Sequence, residues 1–183
     1  RVTARDAYGN TNTGFTGTVT VAFGTNPGGG TLLGTTTVAA ASGVATFSIL
    51  SINKSGAGYT LQASSGVLTA ATSTAFAITP GAATQLVFTV QPSTTAAGAT
   101  ITPAVQVTAR DAFDNTATGF TGNVTIAIGT NPGAGTISGA TSQPAVAGIA
   151  TFANLSIDKA GTGYTLQAGS GGLNATSTAF DVT

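Results

Sequence analysis

Self-similarity at a period of about a hundred residues points to tandem domains, and this chain repeats itself in that way almost from end to end. Val2-Thr-Ala-Arg-Asp-Ala7 returns as Val107-Thr-Ala-Arg-Asp-Ala112, Gly24-Thr-Asn-Pro-Gly28 as Gly129-Thr-Asn-Pro-Gly133, and Gly58-Tyr-Thr-Leu-Gln-Ala63 as Gly163-Tyr-Thr-Leu-Gln-Ala168. The offset is 105 residues, falling to 104 where Ala75-Phe76 matches Ala179-Phe180, and roughly two-thirds of the aligned positions are identical. That period is too long for a solenoid repeat and has the length of a domain. The boundary falls at Thr79-Pro80, giving one repeat over 1–79 and a second over 80–183.

The copies differ at their start. Ahead of its Val-Thr-Ala-Arg-Asp motif the second carries Pro80 to Gln106, including Gln85-Leu-Val-Phe-Thr-Val-Gln91, where the first has only Arg1. The first repeat is therefore expected to lack its opening strand. One reading makes the chain a window on a longer array, with neighbouring repeats of the same protein as partners. The other fills the gap by strand exchange with identical chains in a filament.

Within each repeat the side chains alternate with a period of two, the pattern of half-buried strands. Leu86, Phe88 and Val90 alternate with Val87, Thr89 and Gln91, and Val105, Val107 and Ala109 with Gln106, Thr108 and Arg110. Val124, Ile126 and Ile128 follow the same rule, as do Tyr164, Leu166 and Ala168. In the second repeat this predicts seven strands, near 84–91, 104–111, 123–128, 134–138, 148–157, 163–169 and 173–183. The Thr-rich face of each is expected to meet water. Phe152 and Leu155 have opposite parity, so a bulge or break is predicted between them. Ile49, aligned with Asn154, is expected to face water. Gly and Asn clusters such as Asp6-Ala-Tyr-Gly-Asn10 and Asn26-Pro-Gly-Gly-Gly30 punctuate the strands. The fold class is all-β: two tandem antiparallel β-sandwich domains, the first without its opening strand.

Composition narrows function by exclusion. The 183 residues include no His, Cys, Met or Trp, and their charged groups are five Lys and Arg against five Asp. A Ser-His or Cys-His nucleophile pair and a thiolate metal site are thus ruled out, and so is a basic footprint for nucleic acid. With 42% apolar residues and no net charge the chain has the makings of a core, unlike a disordered segment. Missing cysteine neither establishes nor excludes secretion. No apolar run approaches 18 residues, so no membrane insertion is expected in this segment.

The runs Asp6-Ala-Tyr-Gly-Asn10, Gly14-Phe-Thr-Gly-Thr-Val-Thr-Val21, Gly43-Val-Ala-Thr-Phe47 and Gly58-Tyr-Thr-Leu-Gln-Ala63 resemble bacterial immunoglobulin-like repeats. These are similar to the modules of invasin- and intimin-type adhesins and of very long bacterial surface proteins. The matching residues are turn glycines and core positions, which speak for fold more than for function. Invasin-type modules usually place Pro after the Gly-Asn turn, where Thr11 and Thr116 stand here. The resemblance implies an extracellular or cell-surface location and a role as stalk, spacer or fibre.

Candidate sites follow from the few reactive groups. Asp111 and Asp114, in Asp111-Ala-Phe-Asp-Asn115, are the candidate calcium ligands, although two carboxylates are sparse for an ion that takes six to eight oxygens. Gly9 stands where Asp114 does, so a turn residue at positive φ accounts for both, and this is the favoured reading. Lys54 and Lys159 are aligned and suggest an isopeptide crosslink, but the chain has no Glu to assist one, and solvated lysines in a turn fit better. The recurring aromatics Tyr8/Phe113, Phe15/Phe120, Phe47/Phe152, Tyr59/Tyr164 and Phe76/Phe180 would make a sugar platform if exposed together; core packing and loop anchoring is the expectation. Asn53, Asn123, Asn154 and Asn174 each open an Asn-x-Ser/Thr sequon, as chance allows among 37 Thr. No catalytic residue and no cofactor is expected. A binding module for a glycan or protein partner is the alternative to a structural one, and an enzyme would have only Asp111 and Asp114 to work with.

Overall fold

The computed structural model describes residues 1–66 and 68–183, and its chain divides into two compact units, Arg1–Thr79 and Pro80–Thr183. Among the described residues both units are built of strands alone, and no helix is long and apolar enough to cross a membrane.

Unit 1 contains β1 (Val2–Thr3), β2 (Thr18–Thr25), β3 (Leu32–Leu33), β4 (Thr37–Ala39), β5 (Val44–Ala45), β6 (Ser51–Ile52), β7 (Gly56–Ser64), β8 (Ala71–Thr72) and β9 (Phe76–Ile78). All pairings are antiparallel. The order β4-β2-β7-β8 forms the main sheet, with β9 also on β7, while β1 pairs β5 and β3 pairs β6. Alternation aims Val19, Val21 and Ala63 inward, where they meet Ala40 and Ala45; Val2, Phe15, Leu32, Phe47, Leu50 and Leu61 pack around them only half-buried.

Unit 2 contains β10 (Gln85–Val90), β11 (Val105–Arg110), β12 (Asn123–Ile128), β13 (Ile137–Ser138), β14 (Ser142–Pro144), β15 (Ile149–Phe152), β16 (Ser156–Ile157), β17 (Gly161–Tyr164), β18 (Leu166–Ser170), β19 (Leu173–Thr176) and β20 (Phe180–Val182). One sheet runs β10-β11-β15 and the other β14-β12-β18-β19, with β13-β16 and β17-β20 as flanking pairs. Between them lies a core of Leu86, Phe88, Ile101, Val107, Ile126, Phe152, Leu155, Tyr164, Leu166 and Phe180, among others. Strand β10 lies on the edge of β11 and packs across to β19, closing one side of the sandwich.

The same register runs through both units. Val2 opposes Ala45 as Val107 opposes Ala150, and Val21 opposes Ala63 as Ile126 opposes Ala168. The opening segment makes the difference. In unit 2 it seats Leu86 and Phe88 in the core, and its return arm lays Ile101 on Leu155 through an N–H···O bond of 2.8 Å to the Leu155 carbonyl. Phe152, Leu155 and Leu166 are consequently 0% exposed, whereas Phe47, Leu50 and Leu61 keep part of their surface in water.

Several expectations need correction. The predicted strand at 134–138 is reduced to β13, and β14 was not anticipated: Pro144 lacks an N–H, which an edge strand tolerates. The runs at 163–169 and 173–183 each break in two because the chain changes hydrogen-bonding partner partway. Two expectations hold: the run at 148–157 breaks after Phe152 and resumes at Ser156, which lets Phe152 and Leu155 both point inward, and Ile49 is exposed. Thr108 departs from the water-facing rule. It sits on β11, between β10 and β15, 3% exposed, with its Oγ1 2.8 Å from Thr89 Oγ1.

Candidate functional site

The polar side chains of both units act mainly as latches on loops. Asp111 follows β11 and opens a tight turn. Its Oδ1 accepts the N–H groups of Phe113 and Asn115 at 2.8 and 3.0 Å, and its Oδ2 accepts Gly81 N–H at 2.8 Å and Asn115 Nδ2 at 2.9 Å. Burial pushes this carboxyl up, but the Asn115 amide and the N–H groups of Gly81, Asn115 and Phe113 outweigh it and hold the group well below the usual carboxylate range. Asp6 repeats the local half of this arrangement in unit 1, accepting Tyr8 N–H, Asn10 N–H and Asn10 Nδ2, and the Asn10 contact above all lowers its pKa. Asp114 stands at φ 61° and Gly9 at φ 84°, both in the left-handed region that the turn demands. The Asp114 carboxylate faces outward, taking Gln85 Nε2 at 2.6 Å and lying 3.8 Å from Arg110 Nη1. Asp111 and Asp114 thus share a turn, but the atoms crowding Asp111 are N–H donors, which suit an anion's lone pairs and oppose a cation. Among the described residues no group of three or more acids could hold a metal.

The other recurring polar residues follow the same logic. Asn26 and Asn131 each close their loop twice, accepting the N–H and donating to the carbonyl of Gly30 and Gly135 at 2.8–2.9 Å. Asn53 Oδ1 accepts Thr31 N–H as Asp158 Oδ1 accepts Thr136 N–H. Asp181 Oδ1 accepts Gly163 N–H at 2.9 Å. An amide and a carboxylate are interchangeable in such a role, which explains Asn53 against Asp158.

Tyr59 and Tyr164 are the central anchors. Each ring is 0% exposed, and its hydroxyl donates to the carbonyl of Lys54 or Lys159 at 2.8 and 2.9 Å. A side chain at Gly28 or Gly133 would strike that hydroxyl, which is why the Asn-Pro-Gly turn has glycine there. The two lysines therefore lend their backbone to a tyrosine latch. Phe76 and Phe180 pack beside these tyrosines, with ring centroids 6.1 and 6.2 Å apart. Phe15 and Phe120 are half-buried, Phe47 half-buried and Phe152 buried. Tyr8 and Phe113 depart from the core-packing expectation. Both project from the Asp6 and Asp111 turns, 90% and 52% exposed, because two residues beyond the carboxylate the turn points its side chain outward. Of the sequon asparagines, Asn123, Asn154 and Asn174 are exposed and Asn53 is half-buried.

Unit 1 also carries a groove of about 440 Å³ between β1 and β8, with an apolar floor of Val2, Val21, Phe47, Leu50, Leu61 and Ala63. Sequence reasoning marked the gap by the absent opening segment, but not its lining.

No protein-family model matches the chain, and no curated protein matches it. Comparison with solved structures aligns all of it with parts of the surface layer protein SbsC. The structure of SbsC domains 4–9 aligns at 19% identity and a TM-score of 0.41, the match covering 25% of that chain. The crystal structure of domains 4 and 5 aligns at 19% identity and a TM-score of 0.39, covering 80% of that chain.

Proposed function

We propose that this chain is a pair of structural repeat modules of a long bacterial extracellular or cell-surface protein, serving as stalk, spacer or fibre and not as an enzyme. The modules are of the bacterial Ig-like type that the sequence resembles, and their partners are neighbouring repeats. One observation carries this reading: Asp, Asn and Tyr side chains recur at matching positions in both units, bonded to loop backbone. Polar chemistry so arranged holds a shape and leaves little to act on a substrate. The threonines fit the same role, pairing hydroxyl to hydroxyl across strands, as in Thr20 with Thr37 at 3.1 Å.

A second reading, an adhesive module for a glycan or protein, is favoured by Tyr8 and Phe113 alone. Burial of Tyr59 and Tyr164 removes one of the four identically repeated ring pairs from any exposed platform.

Antibodies raised against the chain and applied to intact, unpermeabilised cells of the source organism test the location. Labelling of the cell exterior or its shed material is expected. Labelling that requires permeabilisation overturns the reading, and saturable binding of a sugar by the chain, lost on Tyr8→Ala with Phe113→Ala, supports the adhesive one.

A further inference from the structure

The main sheet of each unit ends in a short edge strand, and proline guards only one of the two. Strand β4 ends the order β4-β2-β7-β8 and β14 ends the order β14-β12-β18-β19, so among the described residues no strand lies on their outer sides. In unit 1 Val21 N–H donates to the Thr36 carbonyl and Ala40 N–H to the Gly17 carbonyl. Between them Thr18 opposes Ala39, Val19 opposes Val38 and Thr20 opposes Thr37. Backbone groups alternate in direction along an antiparallel strand. Thr36, Val38 and Ala40 therefore turn theirs toward β2, and Thr37 and Ala39 turn theirs outward. The matching bonds in unit 2, Ile126 N–H to Thr141 and Ala145 N–H to Gly122, leave Ser142 and Pro144 outward. Pro144 has no N–H to offer, and its ring stands where an added strand would lie. Ala39 holds that position in unit 1.

We infer that β4 is a self-association edge, which takes β4 of a second copy of this chain, antiparallel about a two-fold axis through Val38. In that register Thr37 exchanges both its backbone bonds with Ala39 of the second copy, and Ala39 does the same with Thr37 of the second copy. Each outward N–H and C=O of the strand then has a partner. A surface that satisfies itself in this way is what a two-fold contact demands, so the occupant is another β4 and not an unrelated segment. Val38 meets Val38 of the second copy at the non-hydrogen-bonded position, where side chains approach most closely; unit 2 has Gln143 there.

Nothing else guards this edge. Open edges are commonly protected by charge, by proline or by a bulge. No Asp, Lys or Arg lies between Asp6 and Lys54, and β4 pairs β2 without a register shift. Charge is equally absent between Asp114 and Asp158 in unit 2, where Pro144 does the guarding. The three residues of β4 make the contact small and reversible.

This adds a lateral contact between chains to the succession of repeats proposed above, and purified protein tests it independently of location. The chain has no cysteine, so Val38→Cys introduces a single thiol. Across the two-fold axis the two Cα atoms would stand about 4.5 Å apart, within disulfide reach. Oxidised by dissolved oxygen, the full chain with Val38→Cys is expected to form a disulfide dimer at least about tenfold faster than the chain with Gln143→Cys, whose edge carries Pro144. Adding Ala39→Pro to Val38→Cys deletes half of the new backbone bonds and is expected to bring the rate down to that of Gln143→Cys. Urea unfolding of the double variant checks that unit 1 is intact. In the unmodified chain, amide exchange at Thr37 and Ala39 is expected to slow at least about twofold between micromolar and millimolar protein. Equal dimer formation by the two cysteine chains, no loss with Ala39→Pro in a folded chain, or exchange at Thr37 and Ala39 that ignores concentration overturns the proposal. Slowing at another strand edge, with Thr37 and Ala39 unchanged, assigns association to that edge and overturns the occupant named here.

Discussion

Leu61 and Leu166 hold the same place in the repeat, and truncating each to alanine measures what a seated opening strand adds to a core. Leu166 is 0% exposed under β10, whereas Leu61 is half-buried on the groove floor. Deleting three carbons from a fully enclosed leucine removes the transfer term and leaves a cavity, together about 3 kcal/mol. At Leu61 part of the side chain is already in water and the groove leaves no closed cavity, so the loss is about half, near 1.5 kcal/mol. The larger figure corresponds to a shift of roughly 150-fold in the folding equilibrium and the smaller to roughly tenfold. Urea unfolding of the full chain, followed by amide exchange on peptides from each unit, separates the two transitions, which a single spectroscopic signal would merge. Equal losses at the two sites, or a greater loss at Leu61, would refute the argument that the strand accounts for the difference in burial.

Replacing Asp111 with Ala strands the N–H groups of Gly81, Phe113 and Asn115, and unit 2 is expected to lose about 2–3 kcal/mol at neutral pH in urea titrations. Because the folded-state pKa is depressed, this contribution is fully present above the unfolded value of about 3.9 and is lost as pH falls below it, so wild type and Asp111→Ala should converge in acid. Tyr164→Phe keeps the buried ring but orphans the Lys159 carbonyl; a loss of about 1 kcal/mol is expected, with a matching loss for Tyr59→Phe in unit 1. Gly133→Ala drives a methyl against Tyr164 Oη and the Ala160 carbonyl, and a loss of about 1–3 kcal/mol by thermal unfolding is expected.

Alternation made β12 legible to the residue, because Val124 and Ile126 face one side and the neighbouring threonine the other. It could not reveal where β17 gives way to β18. Tyr164, Leu166 and Ala168 keep strict parity, yet the chain passes from pairing β20 to pairing β12 between Tyr164 and Leu166. Side-chain period reports which face is buried and is blind to which strand lies alongside. Pro144 hid β14 for a different reason, since a residue without an N–H argues against a strand unless its edge position is known. At the candidate site, the aligned pair Gly9 and Asp114 betrayed a positive-φ turn. Asn115 does most to depress the Asp111 carboxyl and lies in the same turn, but the added donor Gly81 stands thirty residues earlier, and only folding brings it into range.

The latches have a consequence for the medium in which such modules work. Asp111, Asp158, Asn26, Asn131, Tyr59 and Tyr164 all grip peptide groups, and the one ion pair found among the described residues, Arg110 with Asp114, is long and exposed. Dissolved salt screens distant surface charges strongly and short hydrogen bonds to backbone hardly at all. Cohesion of this kind changes little between fresh water and brine, so a change of salinity is expected to leave the loops of both units held in place.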